Sequence, residues 1–225
     1  MLRKIFRFLW KCALWFFGIS IFFVILFKFV PVPFTPLMAV RALEQKEAGK
    51  EMTCSHDWVP LEDISVNYQK AVIASEDGTF LTHSGFDFKA LQKAYKNNSK
   101  GRKLKGGSTI SQQTAKNVFL WQGRSYLRKG LEAYFTVLIE IFWGKERIME
   151  VYLNSIEMGD GVYGVQAASQ HWYRKNASEV SKREAAGVAA ILPNPRKFTA
   201  TRSSSYIERR KGRIVRHMGY VKLEY

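Results

Sequence analysis

A charge-free stretch over residues 12–27 (CALWFFGISIFFVILF) constrains this chain more than any other feature. Past Lys28 the apolar run continues through Phe29 and Val30 to Pro31. A run of about 19 such residues comes close to the ~20 a helix needs to cross a bilayer. Lys28 can reach the headgroups along its aliphatic stem, and Trp10 and Trp15 suit the interface. Arg3, Lys4, Arg7 and Lys11 precede the run, which predicts the amino terminus inside and the rest of the chain outside. A cleaved signal peptide would have a shorter apolar core, of about 7–15 residues, ending at small residues. This run meets Pro31-Val32-Pro33 instead, so residues 1–33 are read as a cytoplasmic tail and a retained single-pass transmembrane anchor.

The first acidic residue is Glu44. The net charge is +16, and with Arg3, Lys4, Arg7, Lys11 and Lys28 set aside, residues 31–225 still carry +11. The folded part is basic in its own right, which argues against a soluble, charge-balanced cytosolic enzyme. Cys12 and Cys54 cannot make a disulfide scaffold or a four-ligand zinc site, and His56, His83, His171 and His217 share no local spacing, so no metal site is expected. No GxGxxG, Walker A or HExxH pattern occurs. The cluster Arg209, Arg210, Lys211, Arg213 and Arg216 could meet nucleic acid. With an anchor upstream, acidic lipid headgroups are the expected partner instead, at ~1 kcal/mol per basic residue near the surface.

Residues 34–61 read as a linker stiffened by Pro36, and residues 62–225 as one compact, mainly α domain without a convincing run of strands. Helices are expected over 66–77, over 88–97 capped by Asp87, and from Ser108 or Thr109 to about 119. Further helices are expected over 125–143, 145–156, 163–173 and 182–192, the last stopped by Pro193 and Pro195. The tail over 202–225 has some helical character. Asn97 to Gly107 forms a basic, glycine-rich loop.

Three constellations could carry chemistry. Glu76, Phe80 and His83 would share one face, within about 60°, if the first helix continued. A carboxylate beside apolar residues there would have a raised pKa and could act as a general base. Thr109, Gln113 and Lys116 stand at i, i+4, i+7 on a polar face behind Gly106-Gly107. That helix start offers backbone N–H groups to an anion such as phosphate. Arg128 and Glu132 are one turn apart, an ordinary ion pair on spacing alone. The following AYFTVLIEIFW is apolar enough that its helix must be buried or membrane-facing, and charges at its mouth are costly unless they bind something. Glu140 within it is read as a buried, paired structural acid.

In order along the chain, these segments resemble the peptidoglycan glycosyltransferases of glycosyltransferase family 51, most closely the monofunctional biosynthetic members with an anchor and no penicillin-binding domain. Glu76-Asp77-Gly78-Thr79-Phe80-Leu81-Thr82-His83-Ser84-Gly85 is similar to the family's ED..F..H.G, and Gly107 to Gln113 with Lys116-Asn117 to G.STI.QQ..KN. Arg128-Lys129-Gly130-Leu131-Glu132 is similar to RK..E, Lys145 to Asn154 to the fourth motif, and Glu184 to Pro195 to the fifth. Ser111, Thr114, His171-Trp172-Tyr173 and Lys197 to Ala200 depart from the usual pattern.

The resemblance implies a lysozyme-like helical glycosyltransferase domain outside the bacterial cytoplasmic (inner) membrane. It implies polymerisation of lipid II into β-1,4-linked glycan strands, with inversion and loss of undecaprenyl pyrophosphate. It implies Glu76 as general base and Glu132 as a second essential glutamate. Asp77, Phe80 and His83 would shape the pocket, and Ser108, Thr109, Gln112, Gln113, Lys116, Asn117, Arg128, Lys129 and Lys145 would bind substrate. No cofactor is required, a divalent cation (Mg or Mn) at the pyrophosphate being optional. The partners implied are lipid II, the lipid-linked nascent glycan and the membrane, with cell-division or elongation proteins as further candidates and no nucleic acid. The basic loop over 97–107 falls where the family has a mobile flap. Two other readings are a glycan-cleaving enzyme on the same fold and a non-catalytic anchored scaffold.

Overall fold

The structure, a computed structural model, describes residues 1–89, 91–92, 107–123 and 125–225. The helix expected over 88–97 and the basic loop over 97–107 therefore lie largely outside the described residues. The helices in chain order are α1 (Leu2–Phe29), α2 (Pro36–Glu47), α3 (Val66–Glu76), α4 (Ile110–Phe119) and α5 (Tyr126–Phe142). They continue with α6 (Gly144–Ser155), α7 (Gly164–Tyr173), α8 (Lys182–Ile191) and α9 (Ser205–His217).

Short polar residues set the starts of these helices by satisfying free backbone donors. Thr35, Ser65, Ser125, Ser181 and Ser204 each accept a hydrogen bond from the first turn of the helix they precede. Thr109 and Gln112 form a reciprocal capping box on α4. The segment read as a linker holds α2, with Pro36 at its first turn, where a missing N–H costs nothing. Leu37 and Met38 are buried against Tyr163. Arg41 on α2 pairs with the buried Glu157 at 3.1 Å. The expectation of a chain without strands needs a small correction. β1 (Ser55–His56), β2 (Glu157–Gly159) and β3 (Val162–Tyr163) form a three-stranded sheet in the order β1-β3-β2, the first pair parallel and the second antiparallel. Strands this short leave no alternating pattern to read.

The core is built mainly from one continuous apolar cluster that includes Tyr68, Phe80, Ile110, Ile139, Ile148, Met149 and Leu153. α8 is a small-residue helix (KREAAGVAAI) packed against both α3 and α9. A Cβ on its Gly187 would lie 2.6 Å from the Tyr173 hydroxyl, so the close approach needs glycine. The amide of the fully buried Asn154 donates to the carbonyls of Val59 and Glu150, and its Oδ1 accepts from the Val59 N–H at 3.0 Å. This clamps the segment before α3 onto α6.

α1 is a single continuous helix, long and apolar enough to cross a membrane, with most of its side chains exposed. Its carboxyl-terminal half docks on α5 and the start of α6. The Trp143 indole donates to the Val24 carbonyl at 2.6 Å, and Ser20 Oγ lies 2.7 Å from the Tyr134 hydroxyl. Arg147 donates to the carbonyls of Phe27 and Val30, at 2.8 and 2.7 Å, and so satisfies acceptors that a helix end leaves free. α5 divides as its composition requires. Arg128, Glu132, Phe135, Thr136 and Ile139 face inward, whereas Leu127, Val137 and Ile141 remain exposed.

Gly164 has φ +78°, and a Cβ there would lie 2.7 Å from the Asn154 carbonyl oxygen. Left-handed strain plus a backbone clash should make Gly164→Ala cost about 2–3 kcal/mol, a fall in Tm of roughly 4–12 °C. Gly212→Ala, on α9 where an added methyl meets open space, should hold or raise the Tm, by at most ~1 kcal/mol of stability. Thermal unfolding of the detergent-solubilised variants checks both.

Candidate active site

Glu76 is the last residue of α3, and the helix stops there because Asp77 leaves helical geometry (φ −156°, ψ 76°). The expectation that Glu76, Phe80 and His83 share one helical face is therefore corrected. Phe80 begins a separate short 3-10 turn and is fully buried in the core. His83 turns back to Asp77, its Nε2 3.0 Å from Oδ2. The same Oδ2 accepts the Ile110 N–H at 2.9 Å, so Asp77 caps the first turn of α4 from outside the helix. Thr109 adds a second tie by donating to the Gly85 carbonyl at 2.7 Å. These bonds hold the first motif against the second.

That register brings Glu76 and α4 to one cleft of about 780 Å³, lined by Ser75, Glu76, Ser108, Gln113, Lys116, Leu192 and Pro193. From α9 the cleft also receives Tyr206, Arg210, Arg213, Ile214 and His217. Glu76 does not sit among apolar side chains as its sequence neighbours suggest. Its Oε1 accepts from Ser75 Oγ at 2.9 Å and Arg210 Nη2 at 3.2 Å, and its Oε2 from Gln113 Nε2 at 3.4 Å. The Tyr152 hydroxyl, from α6, is buried with no hydrogen-bond partner among the described residues. Burial pushes its pKa well up, and the charges of Glu76 and Asp77 add to that rise.

The polar face of α4 is divided. Gln113 and Lys116 line the cleft, whereas Thr109 and Gln112 are buried and engaged in the capping box. Asn117 is buried and is not among the residues lining the cleft. Burial lowers the Lys116 pKa from 10.5. The nearby Glu132 raises it, while Arg128, Lys129 and Arg41 lower it further. The buried Glu132 accepts from Arg128 Nη1 at 2.7 Å and from Lys129 Nζ on its other oxygen. Three cations thus surround one carboxylate, an arrangement that favours a multiply charged anion. With both its oxygens occupied by cations, Glu132 does not suit a divalent metal. Among the described residues no group of three His, Cys, Asp or Glu side chains could hold one.

Two findings concern basic residues. Lys145, like Arg128 and Lys129, is not among the residues lining the cleft. It pairs with Glu140 at 2.6 Å over the Phe80 ring, and Ser111 donates to the same Glu140 oxygen. Charge burial on α5 explains this, since Glu140 needs a cation. The C-terminal basic cluster does not act only toward lipid, because Arg210 and Arg213 point into the cleft. The signal was available, since Tyr206, Arg210, Arg213 and His217 recur at i, i+4, i+7, i+11 and form one helical stripe. The partner helix that the stripe faces was not legible.

Lys116 supplies a stability–activity test. Its folded pKa lies below the unfolded value, so its charged form is disfavoured by folding. The penalty is fully present below the folded pKa and disappears as pH rises toward about 10.5. Lys116→Met should raise the Tm at pH 7, the gain shrinking at alkaline pH, while turnover falls ~10²–10³-fold as for a lost charge-stabilising donor. Asp77→Ala should cost about 2–4 kcal/mol by orphaning the Ile110 N–H and His83, read by denaturant unfolding.

A family model described as Transglycosylase matches residues 44–219. The biosynthetic peptidoglycan transglycosylase of Caulobacter vibrioides is 54% identical over 199 residues, 88% of this chain and 84% of the relative. That of Bdellovibrio bacteriovorus is 53% identical over 205 residues, covering 91% and 82%. That of Bacteroides thetaiotaomicron is 49% identical over 220 residues, covering 98% and 89%. The match takes in both segments that meet at Asp77, the cation-ringed Glu132 and the α9 stripe, and the chain belongs to the transglycosylase family.

Proposed function

We propose that this chain polymerises lipid II into β-1,4-linked peptidoglycan strands at the bacterial cytoplasmic membrane. One observation carries the reading: a single cleft has a carboxylate, Glu76, and a cationic residue, Lys116, on its walls, and Lys116 is near enough to feel the charges of Glu132, Arg128 and Lys129. The reaction needs both. The 4-hydroxyl of the acceptor GlcNAc attacks the anomeric carbon of the lipid-linked donor. The new C–O bond forms as the bond to pyrophosphate breaks, and the α linkage inverts to β. The hydroxyl proton passes to a Glu76 oxygen. The negative charge that grows on the departing undecaprenyl pyrophosphate meets Lys116, Arg128 and Lys129, with Gln113 and Ser108 as further donors. Glu132 keeps the two cations of α5 in place. A divalent cation is not assigned a step, because that donor set is already occupied.

Arg3, Lys4, Arg7 and Lys11, in the amino-terminal part of α1, favour a cytoplasmic amino terminus and an external catalytic domain, where lipid II would enter from the membrane. Cell-division or elongation proteins would be the partners to test at that site. A glycan-cleaving enzyme would need two acids flanking the scissile bond. Here Asp77 and Glu132 are both committed to internal cations or N–H donors, which favours transfer over hydrolysis. An anchored scaffold would not need Glu76 at all.

Detergent-solubilised protein incubated with labelled lipid II should yield a ladder of lysozyme-sensitive polymer. Glu76→Gln should lose ~10²–10⁴-fold of that activity with its Tm near wild type, the usual range for removing a positioned base. Near wild-type turnover in Glu76→Gln would refute the base. Release of short fragments from polymeric sacculi without lipid II would favour the hydrolase.

A further inference from the structure

The C-terminal helix makes the closest cationic contact to Glu76 among the described residues, and no reading of the sequence motifs accounts for it. We infer that Arg210 is a positioning residue for the proposed base: it fixes the Glu76 carboxylate through Oε1, leaving Oε2 to receive the acceptor proton. The inference rests on the assignment of Glu76 as that base.

Arg210 stands 134 residues from Glu76 in sequence, and its Nη2 donates both to Glu76 Oε1 at 3.2 Å and to Ser75 Oγ at 3.0 Å. Ser75 Oγ in turn donates to the same Oε1 at 2.9 Å. One carboxylate oxygen is thus held from two sides. The other, Oε2, has only the long 3.4 Å bond from Gln113 and is the less encumbered proton acceptor. The ion pair is not an ordinary surface contact, since the side chains of Arg210 and Glu76 are only 20% and 17% exposed. A pair this sheltered is screened less by salt than an exposed one. The Arg210 Nε is buried without a partner among the described residues, which leaves the guanidinium a further donor direction.

Other charged or titratable groups face Glu76 from the surrounding elements. These are Lys116 on α4, Arg213 and His217 on α9, Tyr152 on α6, and Asp77 next in sequence. Arg210 alone among these cations touches the Glu76 carboxylate within the described residues. Lys116 belongs to the Glu132 cluster, and Asp77 is held by His83 and Ile110.

The test is steady-state polymerisation by the full-length, detergent-solubilised protein on labelled lipid II. It compares wild type, Arg210→Gln, Arg210→Lys, Lys182→Gln and Glu76→Gln. Arg210→Gln should lose ~10–100-fold in kcat, with KM changed less than about threefold and the Tm near wild type. Arg210→Lys, which keeps a charged donor, should recover part of that kcat. Lys182→Gln removes one positive charge from the exposed surface of α8 and should superimpose on wild type. A loss confined to KM, an unchanged kcat in Arg210→Gln, or an equal kcat loss in Lys182→Gln would overturn the inference. If Arg210→Gln does not fold, Arg210→Lys decides: a kcat between those of wild type and Glu76→Gln at wild-type KM supports it, and a loss confined to KM overturns it. An inactive Glu76→Gln beside an unchanged Arg210→Gln defeats this inference alone, whereas an active Glu76→Gln removes the base and the inference together.

Discussion

The cleft depends on the carboxylate of Asp77. It lies one residue past the end of α3, accepts the first free N–H of α4 and holds His83. Helix starts carry unsatisfied donors and partial positive charge, so an acidic side chain there is favoured twice over. Because Glu76 precedes Asp77 in sequence, docking Asp77 on α4 also sets where Glu76 stands relative to Gln113 and Lys116. The motif pair Glu-Asp thus divides its labour: one acid builds the junction, and the neighbouring acid faces the cleft.

Charge elsewhere in the site follows the same economy. Burying a carboxylate or an ammonium alone is expensive, and the fold avoids isolated cases. Glu132 is ringed by Arg128 and Lys129, Glu140 by Lys145 and Ser111, and Glu157 by Arg41. Lys116 departs from this pattern. It is held in partly buried surroundings beside two further cations, with its charged form disfavoured until an anion arrives. Such a residue costs stability in the free protein, and an anion bound beside it would offset that cost.

The long apolar helix α1 is structurally joined to the rest of the chain. Trp143 and Arg147 bind carbonyls in the last turns of α1, and Tyr134 reaches Ser20. These contacts connect α1 to α5, the helix that also carries Arg128, Lys129 and Glu132. The position of the cationic cluster is thereby tied to the carboxyl-terminal end of a helix long and apolar enough to cross a membrane. The exposed Leu127, Val137 and Ile141 on α5 continue the apolar character of α1.

Much of this protein was legible in local pattern. The long apolar amino-terminal helix, the helical class, most helix boundaries and the Thr109 cap follow from periodicity and capping, which act within a few residues. Gln113, Lys116, Arg128 and Glu132 could be nominated because a polar face or a charged mouth on an apolar helix is locally conspicuous. Other features depended on segments far apart in the chain. The burial of Phe80 in the core and the pairing of Lys145 with Glu140 over the Phe80 ring could not be read from local spacing. Arg210 looked like a lipid contact, yet it meets Glu76 across 134 residues of sequence. A side chain's residue type limits what it can do, but its partner is chosen by which helices pack together. That choice depends on the close approach of α3, α8 and α9 around a glycine- and alanine-rich helix, and only the tertiary structure makes it.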